Sequence, residues 1–282
     1  MKPTPRLLEK IEELPTLPDV VARVNQLVNS ESATAGHVNA VISRDMALSA
    51  KVLRMANSSF YGFSRRITSI THAVVILGFK TIRNLALSAF VFNAFKRKTP
   101  AFDVRAFWIH SLGVAVTAAA ASEELGFSIH DREDVFIGGL LHGVGKVAMS
   151  EYMPEDLEAV CRMMKEKDLS FAEAERVVHE FDYAELSGAL LDKWSLPPGL
   201  IAVVRHHLDP ARAGEHERTA SLVHLSDILS RALLFGCAGE DRVTPISPEA
   251  WATLRLDRDI LGRIMDRSLV EFERASAFLD IL

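Results

Sequence analysis

Apolar residues recur at helical rather than strand spacing along most of the chain. Leu17-Pro18-Asp19 places a proline and an acid where a first helical turn favours them, and apolar residues follow at intervals of three and four. Ile70–Leu77 and Ile82–Phe95 predict two helices separated at Gly78. Few runs alternate apolar with polar residues, and the sequence has no Asn-Gly or Asp-Gly hairpin signal. The pattern predicts an all-α fold, a two-part helical bundle.

The same spacing predicts a helix capped by Thr34. Other segments predicted to be helical are Leu48–Asn57, Asp103–Gly126, Asp131–Tyr152, Pro154–Lys167, Phe171–Glu180, Tyr183–Trp194, Pro198–His207 and Arg218–Phe235. Trp251–Leu282 is predicted to form one short and one long helix. The long helix carries apolar residues that could pack back on the protein or pair with another chain, namely Leu261, Ile264, Met265, Leu269 and Val270.

The clearest boundary is Lys96-Arg97-Lys98-Thr99-Pro100, where three cations followed by a proline favour an exposed link. We therefore predict an N-terminal helical subdomain over residues 1–98 and a second helical subdomain over residues 99–235. Residues 236–282 are predicted to be a helical extension of unassigned role.

Composition narrows the class of protein. Of the 282 residues, 49% are hydrophobic and 24% charged, which excludes a disordered chain. The net charge of −5 argues against a nucleic-acid coat and against an electrostatically anchored membrane protein. The longest uncharged run, Ala106–Ser122, is shorter than the roughly 20 residues of a membrane span. The first residues lack a signal peptide's apolar stretch, and Cys161 and Cys237 form no CxxC motif, so we expect a cytoplasmic protein with no membrane or nucleic-acid partner.

Polar side chains that can bind metal interrupt the most apolar helices. They are His110, His142, His206, His207 and Asp227. Each could be an ordinary core residue bonded to a carbonyl, or several could meet around one ion, since an unpaired buried polar group costs about 1–3 kcal/mol. Adjacent helical residues point about 100° apart, so we expect one of His206 and His207 to face inward and the other to bond elsewhere.

The order of these residues resembles the HDOD domain, a non-catalytic relative of the HD-superfamily metal-dependent phosphohydrolases. The resemblance covers roughly residues 7 to 235. In the first part of the chain it rests on Leu14-Pro15-x-Leu17-Pro18, Arg44-Asp45-x-x-Leu48-Ser49-x-Lys51-Val52-Leu53-Arg54, Ala56-Asn57-Ser58 and Ala73-Val74-x-x-Leu77-Gly78. In the second part it rests on Trp108-x-His110-Ser111, Gly139-Leu140-Leu141-His142-x-x-Gly145-Lys146, Trp194-x-Leu196-Pro197, His206-His207 and Asp227.

The departures from the HD pattern bear on catalysis. HD enzymes carry a His-Asp doublet in which both residues ligate metal, whereas this chain has His142-Gly143. Tyr183 stands where the resemblance leads us to expect another histidine, and Ser187 where glycine is usual. Without the bridging aspartate the chain lacks a ligand for a paired-metal site. Lys146, which would neutralise a phosphate in an active relative, is expected to cap a helix end or to pair with an acid.

The resemblance implies a regulatory module of bacterial signal transduction that acts by protein–protein contact and has no catalytic residue. Its partners would be separate signalling proteins, because no receiver or cyclic-dinucleotide domain is recognised in the sequence. The alternatives are a degenerate metal-dependent phosphohydrolase and a module that senses a nucleotide or cyclic dinucleotide. No cofactor is expected, except that His110, His142, His206, His207 and Asp227 could form a residual site for one transition metal ion.

Overall fold

The described chain is helical. The computed structural model describes residues 5–30, 32–63, 65–95, 101–240, 242–275 and 278–279, and none of these residues lies in a β-strand. The helices are α1 Pro5–Glu13, α2 Asp19–Val28, α3 Ala35–Ile42, α4 Met46–Ala56, α5 Ile70–Ala94, α6 Val104–Glu124, α7 Ile129–Leu141, α8 Val144–Tyr152, α9 Pro154–Lys167, α10 Phe171–His179, α11 Tyr183–Lys193, α12 Pro198–His206, a 3-10 helix Pro210–His216, α13 Glu217–Ala232, α14 Pro248–Leu254 and α15 Arg258–Arg274. The prediction of an all-α fold is confirmed.

One predicted helical segment is divided in two. Asp131–Tyr152 is helical except at residues 142 and 143, because α7 ends at Leu141 and α8 begins at Val144. Between them, the Nδ1 atom of His142 lies 2.7 Å from the carbonyl oxygen of Gly139. In a continuous helix that carbonyl would accept the amide of residue 143. Helix α1 and the 3-10 helix are additional elements, and the predicted link at residues 96–100 lies outside the described residues.

The contacts divide the chain into two compact units. The large unit joins Met1–Pro15 to Phe95–Val270, and the small unit joins Thr16–Ala94 to Glu271–Leu282. In the large unit, the ammonium group of Lys193 donates to the carbonyls of Ile11 and Leu14 at 2.8 and 2.7 Å. The indole of Trp194 donates to the carbonyl of Pro15 at 2.8 Å. The end of α11 therefore holds the segment that follows α1.

Among the described residues, two helices, α5 and α6, are long and apolar enough to cross a membrane by length and composition. The most apolar 18-residue stretches of these two helices are 61% and 72% buried within the protein, as is common for core helices. Gly78 interrupts α5 with non-helical torsions (φ 84°, ψ 166°), which confirms the break predicted there. Because L side chains rarely adopt this φ, the glycine permits the chain to change direction within the helix.

Helix α6 is the centre of the large unit. Asp103 caps its first turn by accepting the amide of Ala106 at 3.0 Å, and the helix packs against α7 and α13. Gly139 allows α7 to approach closely, because a Cβ atom there would lie 2.9 Å from the backbone of Ala115. The close approach brings the polar residues of these helices to one place in the interior.

The C-terminal helix packs back on the protein rather than standing free. Ile264 is fully buried in an apolar cluster with residues of α6, α7, α13 and α14, and Leu261 and Met265 pack against the same cluster. Leu269 and Val270 remain 46% and 50% exposed. The predicted extension over residues 236–282 thus contributes the side chain of Ile264 to the core of the large unit.

Candidate functional site

A buried carboxylate lies at the centre of the candidate site. Asp227 of α13 accepts a hydrogen bond from Nε2 of His110 of α6 at 2.9 Å. Both side chains are nearly inaccessible to water, and burial lowers the pKa of His110 to about 4 although Asp227 acts to raise it. Burial alone would raise the pKa of Asp227, but Arg231 and His110 hold it well below its usual value. At neutral pH the pair is therefore a neutral imidazole donating to a carboxylate.

His142 completes a group of three possible metal ligands. Its Nδ1 atom donates to the Gly139 carbonyl, so Nε2 is the ring nitrogen that faces the cluster, 3.6 Å from Oδ1 of Asp227. One ligand atom from each of His110, His142 and Asp227 lies within 4.8 Å of the others. The break between α7 and α8 gives His142 this orientation.

His207 faces the interior and His206 does not join the cluster. His207 is fully buried with its ring centroid 5.1 Å from that of His142, whereas His206 is half-buried. Nδ1 of His207 donates to the carbonyl of Val204 at 2.7 Å, and its Nε2 lies 3.4 Å from the hydroxyl of Tyr183. Burial lowers the pKa of His207 to about 3. As expected for adjacent helical residues, one of the two histidines, His207, faces inward and the other, His206, does not. Neither belongs to the group of three residues whose ligand atoms lie within 4.8 Å of one another.

Arg231 occupies both oxygens of the central carboxylate. Its Nε donates to Oδ1 of Asp227 at 3.1 Å and its Nη2 donates to Oδ2 at 2.8 Å. Its Nη1 donates to Glu240 at 2.6 Å, and all three side chains are only 6% exposed. Burial alone would lower the pKa of Arg231, but Asp227 and Glu240 raise it, so the guanidinium stays charged.

Lys146 extends this ionic network. Its ammonium group donates to the carbonyl of Ala238 at 2.7 Å and lies 3.8 Å from Glu240. It also lies 4.4 and 4.1 Å from the ring centroids of Phe171 and Tyr183. The expectation that Lys146 pairs with an acid is confirmed. Two carboxylates, Asp227 and Glu240, thus face the guanidinium of Arg231 and the ammonium group of Lys146 within the protein.

Glu175 is a further buried acid beside the network. It is fully buried, and one of its oxygens accepts the backbone amide of Tyr183 at 2.7 Å. Burial raises the pKa of Glu175 well above its ordinary value, although Lys146 acts to lower it. Protonation of Glu175 would remove its charge from the site, where Asp227 and Glu240 already face Arg231 and Lys146.

The residues present do not fit a pair of metal ions. Gly143 provides no ligand, and a Cβ atom at this position would lie 2.8 and 2.9 Å from the ring of Phe107. The ring of a buried phenylalanine therefore fills the space beside the position where HD enzymes carry aspartate. A single ion would have His110, His142 and Asp227 as ligands, but it would compete with Arg231 for the carboxylate.

Three residues of the network were not among the sequence predictions. These are Arg231, Glu240 and Glu175. Arg231 has a signal in the sequence, since it follows Asp227 by four residues on an apolar helix and such pairs share a face. Glu240 lies in an irregular segment, and no helical period indicates where its side chain points.

These features define a class: an all-helical protein in which two histidines and an aspartate from different helices meet in a buried polar core. The HDOD domain family model matches residues 14–210, which is most of the chain. The chain therefore belongs to the HDOD domain family. The resemblance to the HDOD domain is confirmed at the level of the family.

Solved structures are similar to this chain over more residues than the family model matches. A solved HDOD domain protein of unknown function from Geobacter sulfurreducens is 27% identical, with a TM-score of 0.78 over 96% of this chain and 97% of that chain. A Shewanella amazonensis SB2B structure, provisionally named a phosphohydrolase, is 23% identical with a TM-score of 0.75 over 98% of both chains, a likeness that shows the fold alone. An uncharacterized protein of Treponema pallidum (strain Nichols) is 24% identical over 228 residues, which is 80% of this chain and 44% of that protein. The chain thus spans less than half the length of this curated relative.

Proposed function

We propose that the protein is a regulatory HDOD module of the cytoplasm that acts by binding other signalling proteins and does not hydrolyse phosphate esters. The observation that carries the proposal is the bidentate ion pair between Arg231 and Asp227. A hydrolytic metal needs ligands that are free to bind it and one open coordination position for water. Here the central carboxylate is engaged by a buried guanidinium, and His110 and His142 are 1% and 2% exposed.

The space next to the network argues against nucleotide binding at this site. A cavity of about 190 Å³ borders Glu240 and is lined also by Phe102, Asp103 and Cys237. Pockets for small molecules usually enclose about 300–1,000 Å³. The carboxylates of Asp103 and Glu240 would also repel a phosphate group, so sensing of a nucleotide or cyclic dinucleotide remains the weaker proposal.

The catalytic part of the proposal is tested by metal analysis and by hydrolysis assays on the full chain. We expect the purified protein to contain no stoichiometric metal and to leave bis(p-nitrophenyl) phosphate and cyclic dinucleotides intact when Mn²⁺, Zn²⁺ or Mg²⁺ is supplied. Turnover that is lost in both His142→Ala and Asp227→Ala would overturn the proposal in favour of a degenerate phosphohydrolase. The same samples can be screened by thermal shift, since a ligand that binds the native state raises the melting temperature.

The interaction part is tested by crosslinking and affinity capture in the source cell. Val75 and Ile76 of the small unit are adjacent, large and apolar, and they are 71% and 45% exposed. We expect Val75→Glu combined with Ile76→Glu to abolish capture of a signalling protein without changing the melting temperature. Val177→Glu is the matched control, because Val177 is 61% exposed in the large unit. Absence of any specific signalling partner would contradict the proposal.

A further inference from the structure

We propose that the guanidinium of Arg231 is the built-in cation of this core and takes the place of a metal ion, so that His110, His142 and Asp227 form a latent one-metal site that Arg231 blocks. The inference rests on the proposed function, because it explains physically how an HD-type core can be stable without metal. It assigns to Arg231 a role that no sequence motif of the chain indicates.

The geometry of the carboxylate is the first argument. A guanidinium fork that donates to both oxygens of one carboxylate uses the in-plane directions through which a metal would bind. Arg231 makes this contact with Asp227 at 3.1 and 2.8 Å. Oδ1 also accepts His110 at 2.9 Å, so an ion could bind Asp227 only by displacing existing donors.

Charge is the second argument. Glu240 accepts Nη1 of Arg231 at 2.6 Å, so the guanidinium is held between two acids and is 6% exposed. Arginine cannot lose its proton within a protein, and a divalent ion beside it would place three positive charges in a buried site. With Arg231 present, the carboxylates are neutralised without metal; with Arg231 replaced by a neutral residue, the same carboxylates would leave an uncompensated negative charge.

The remaining donors are the third argument. Nε2 of His142 is directed to the cluster, because Nδ1 donates to the Gly139 carbonyl, an arrangement that orients metal-binding histidines in general. His110 would present Nε2 in the same way after its proton moves to Nδ1. Since the ligand atoms of His110, His142 and Asp227 lie within 4.8 Å of one another, one Zn²⁺ with three protein ligands could be bound.

The experiment compares Zn²⁺ binding by the full-length wild type and by Arg231→Met, which removes the charge and keeps much of the side-chain volume. We expect trace Zn²⁺ in the wild type and about one equivalent in Arg231→Met, accompanied by a rise in melting temperature on adding Zn²⁺. The double variant Arg231→Met/His142→Ala should lose that equivalent. Co²⁺ provides an independent readout, because its visible absorption reports coordination by the imidazoles.

Two further variants keep the outcome decisive. If Arg231→Met does not fold, Arg231→Met/Glu240→Gln removes the second acid that the substitution leaves unpaired, and it should bind Zn²⁺ in the same way. Arg231→Lys retains the charge and should remain free of Zn²⁺. A folded variant without Arg231 that binds no more Zn²⁺ than a metal-free wild type would overturn this inference alone. One equivalent of Zn²⁺ in the wild type, lost in His142→Ala, would overturn both this inference and the metal-free basis of the proposed function.

Discussion

The buried histidines couple stability to pH at the scale of single residues. Burial lowers the pKa of His110 to about 4 and that of His207 to about 3, from an ordinary value of 6.5. Between pH 6.5 and about 4 the unfolded chain binds protons at these positions that the folded chain does not bind. Their contribution to stability is therefore present above pH 6.5 and is lost as the pH falls.

We predict that the free energy of unfolding falls between about pH 7 and about pH 5, and that His207→Gln reduces this slope. One histidine with a strongly lowered pKa contributes up to about 1.4 kcal/mol per pH unit. Urea titrations at several pH values measure the slope, which does not depend on how much the substitution destabilises the protein. His72→Gln, at an exposed position of the small unit, is the control. An unchanged slope in His207→Gln would contradict the prediction.

The contribution of Glu175 to stability changes with pH in the opposite direction to that of the histidines. Its pKa is raised by burial, so the folded protein holds a proton that the unfolded chain releases above the ordinary value of 4.5. The stability that Glu175 contributes is lost as the pH rises through its folded pKa. In the same titrations Glu175→Gln should therefore make the loss of stability on acidification steeper.

At the scale of elements, the site depends on how closely α8 approaches α11. Gly145 of α8 donates its amide to the hydroxyl of Ser187 at 2.8 Å, and a Cβ atom there would collide with the carbonyl of Tyr183. Because Tyr183 contacts His207 and Lys146, a shift of α11 would also move the polar network. The small residue at position 145 thus serves packing rather than a backbone conformation that needs glycine.

We predict that Gly145→Ala destabilises the protein by about 1–3 kcal/mol, the usual cost of overpacking a core. The matched control is Gly262→Ala in α15, where a Cβ atom meets nothing within 4 Å at an exposed position. There alanine should stabilise by about 0.5–1 kcal/mol, since glycine disfavours helix interiors. Thermal unfolding of both variants measures whether Gly145→Ala destabilises and Gly262→Ala stabilises the protein. If both substitutions changed the stability equally, α8 and α11 would be able to move apart at no cost.

Helix positions were largely predictable, and the polar contacts were not. Pro154–Lys167 has the predicted bounds, and Thr34 caps α3 as predicted by accepting the amide of His37 at 3.3 Å. The break between α7 and α8 escapes the apolar pattern, because apolar spacing continues through it while the torsions leave helical values at Gly143 (φ −111°, ψ 16°). His110, His142 and Asp227 were predictable as a group because polar residues in apolar helices need partners. Glu240 is brought to Arg231 by tertiary folding of an irregular segment, which no local period encodes.

At the scale of the whole molecule, the helix beyond the family match contributes to the core. The HDOD match ends at residue 210, yet Ile264 of α15 is fully buried against α6 and α13. The Geobacter sulfurreducens structure aligns with 96% of this chain, so the similarity in fold extends well past the family match. Helix α15 is therefore a structural part of the large unit.

We predict that Ile264→Ala lowers the free energy of unfolding by about 2–5 kcal/mol, the range for large-to-small changes in a packed core. Val270→Ala on the same helix is the control, because Val270 is 50% exposed, and it should change the free energy by about 0.5 kcal/mol or less. Chemical denaturation measures both. A small effect at Ile264 would mean that α15 detaches before the rest of the large unit unfolds.

The buried carboxylates also affect two backbone amides at the starts of helices. Phe171 is the first residue of α10 and Tyr183 the first of α11, and their amides donate to Glu240 at 2.9 Å and to Glu175 at 2.7 Å. First-turn amides have no partner within their own helix and ordinarily exchange with solvent deuterium quickly. Because their acceptors are buried carboxylates, these two amides should exchange only when the polar core opens, so their exchange rates report that opening from inside the core.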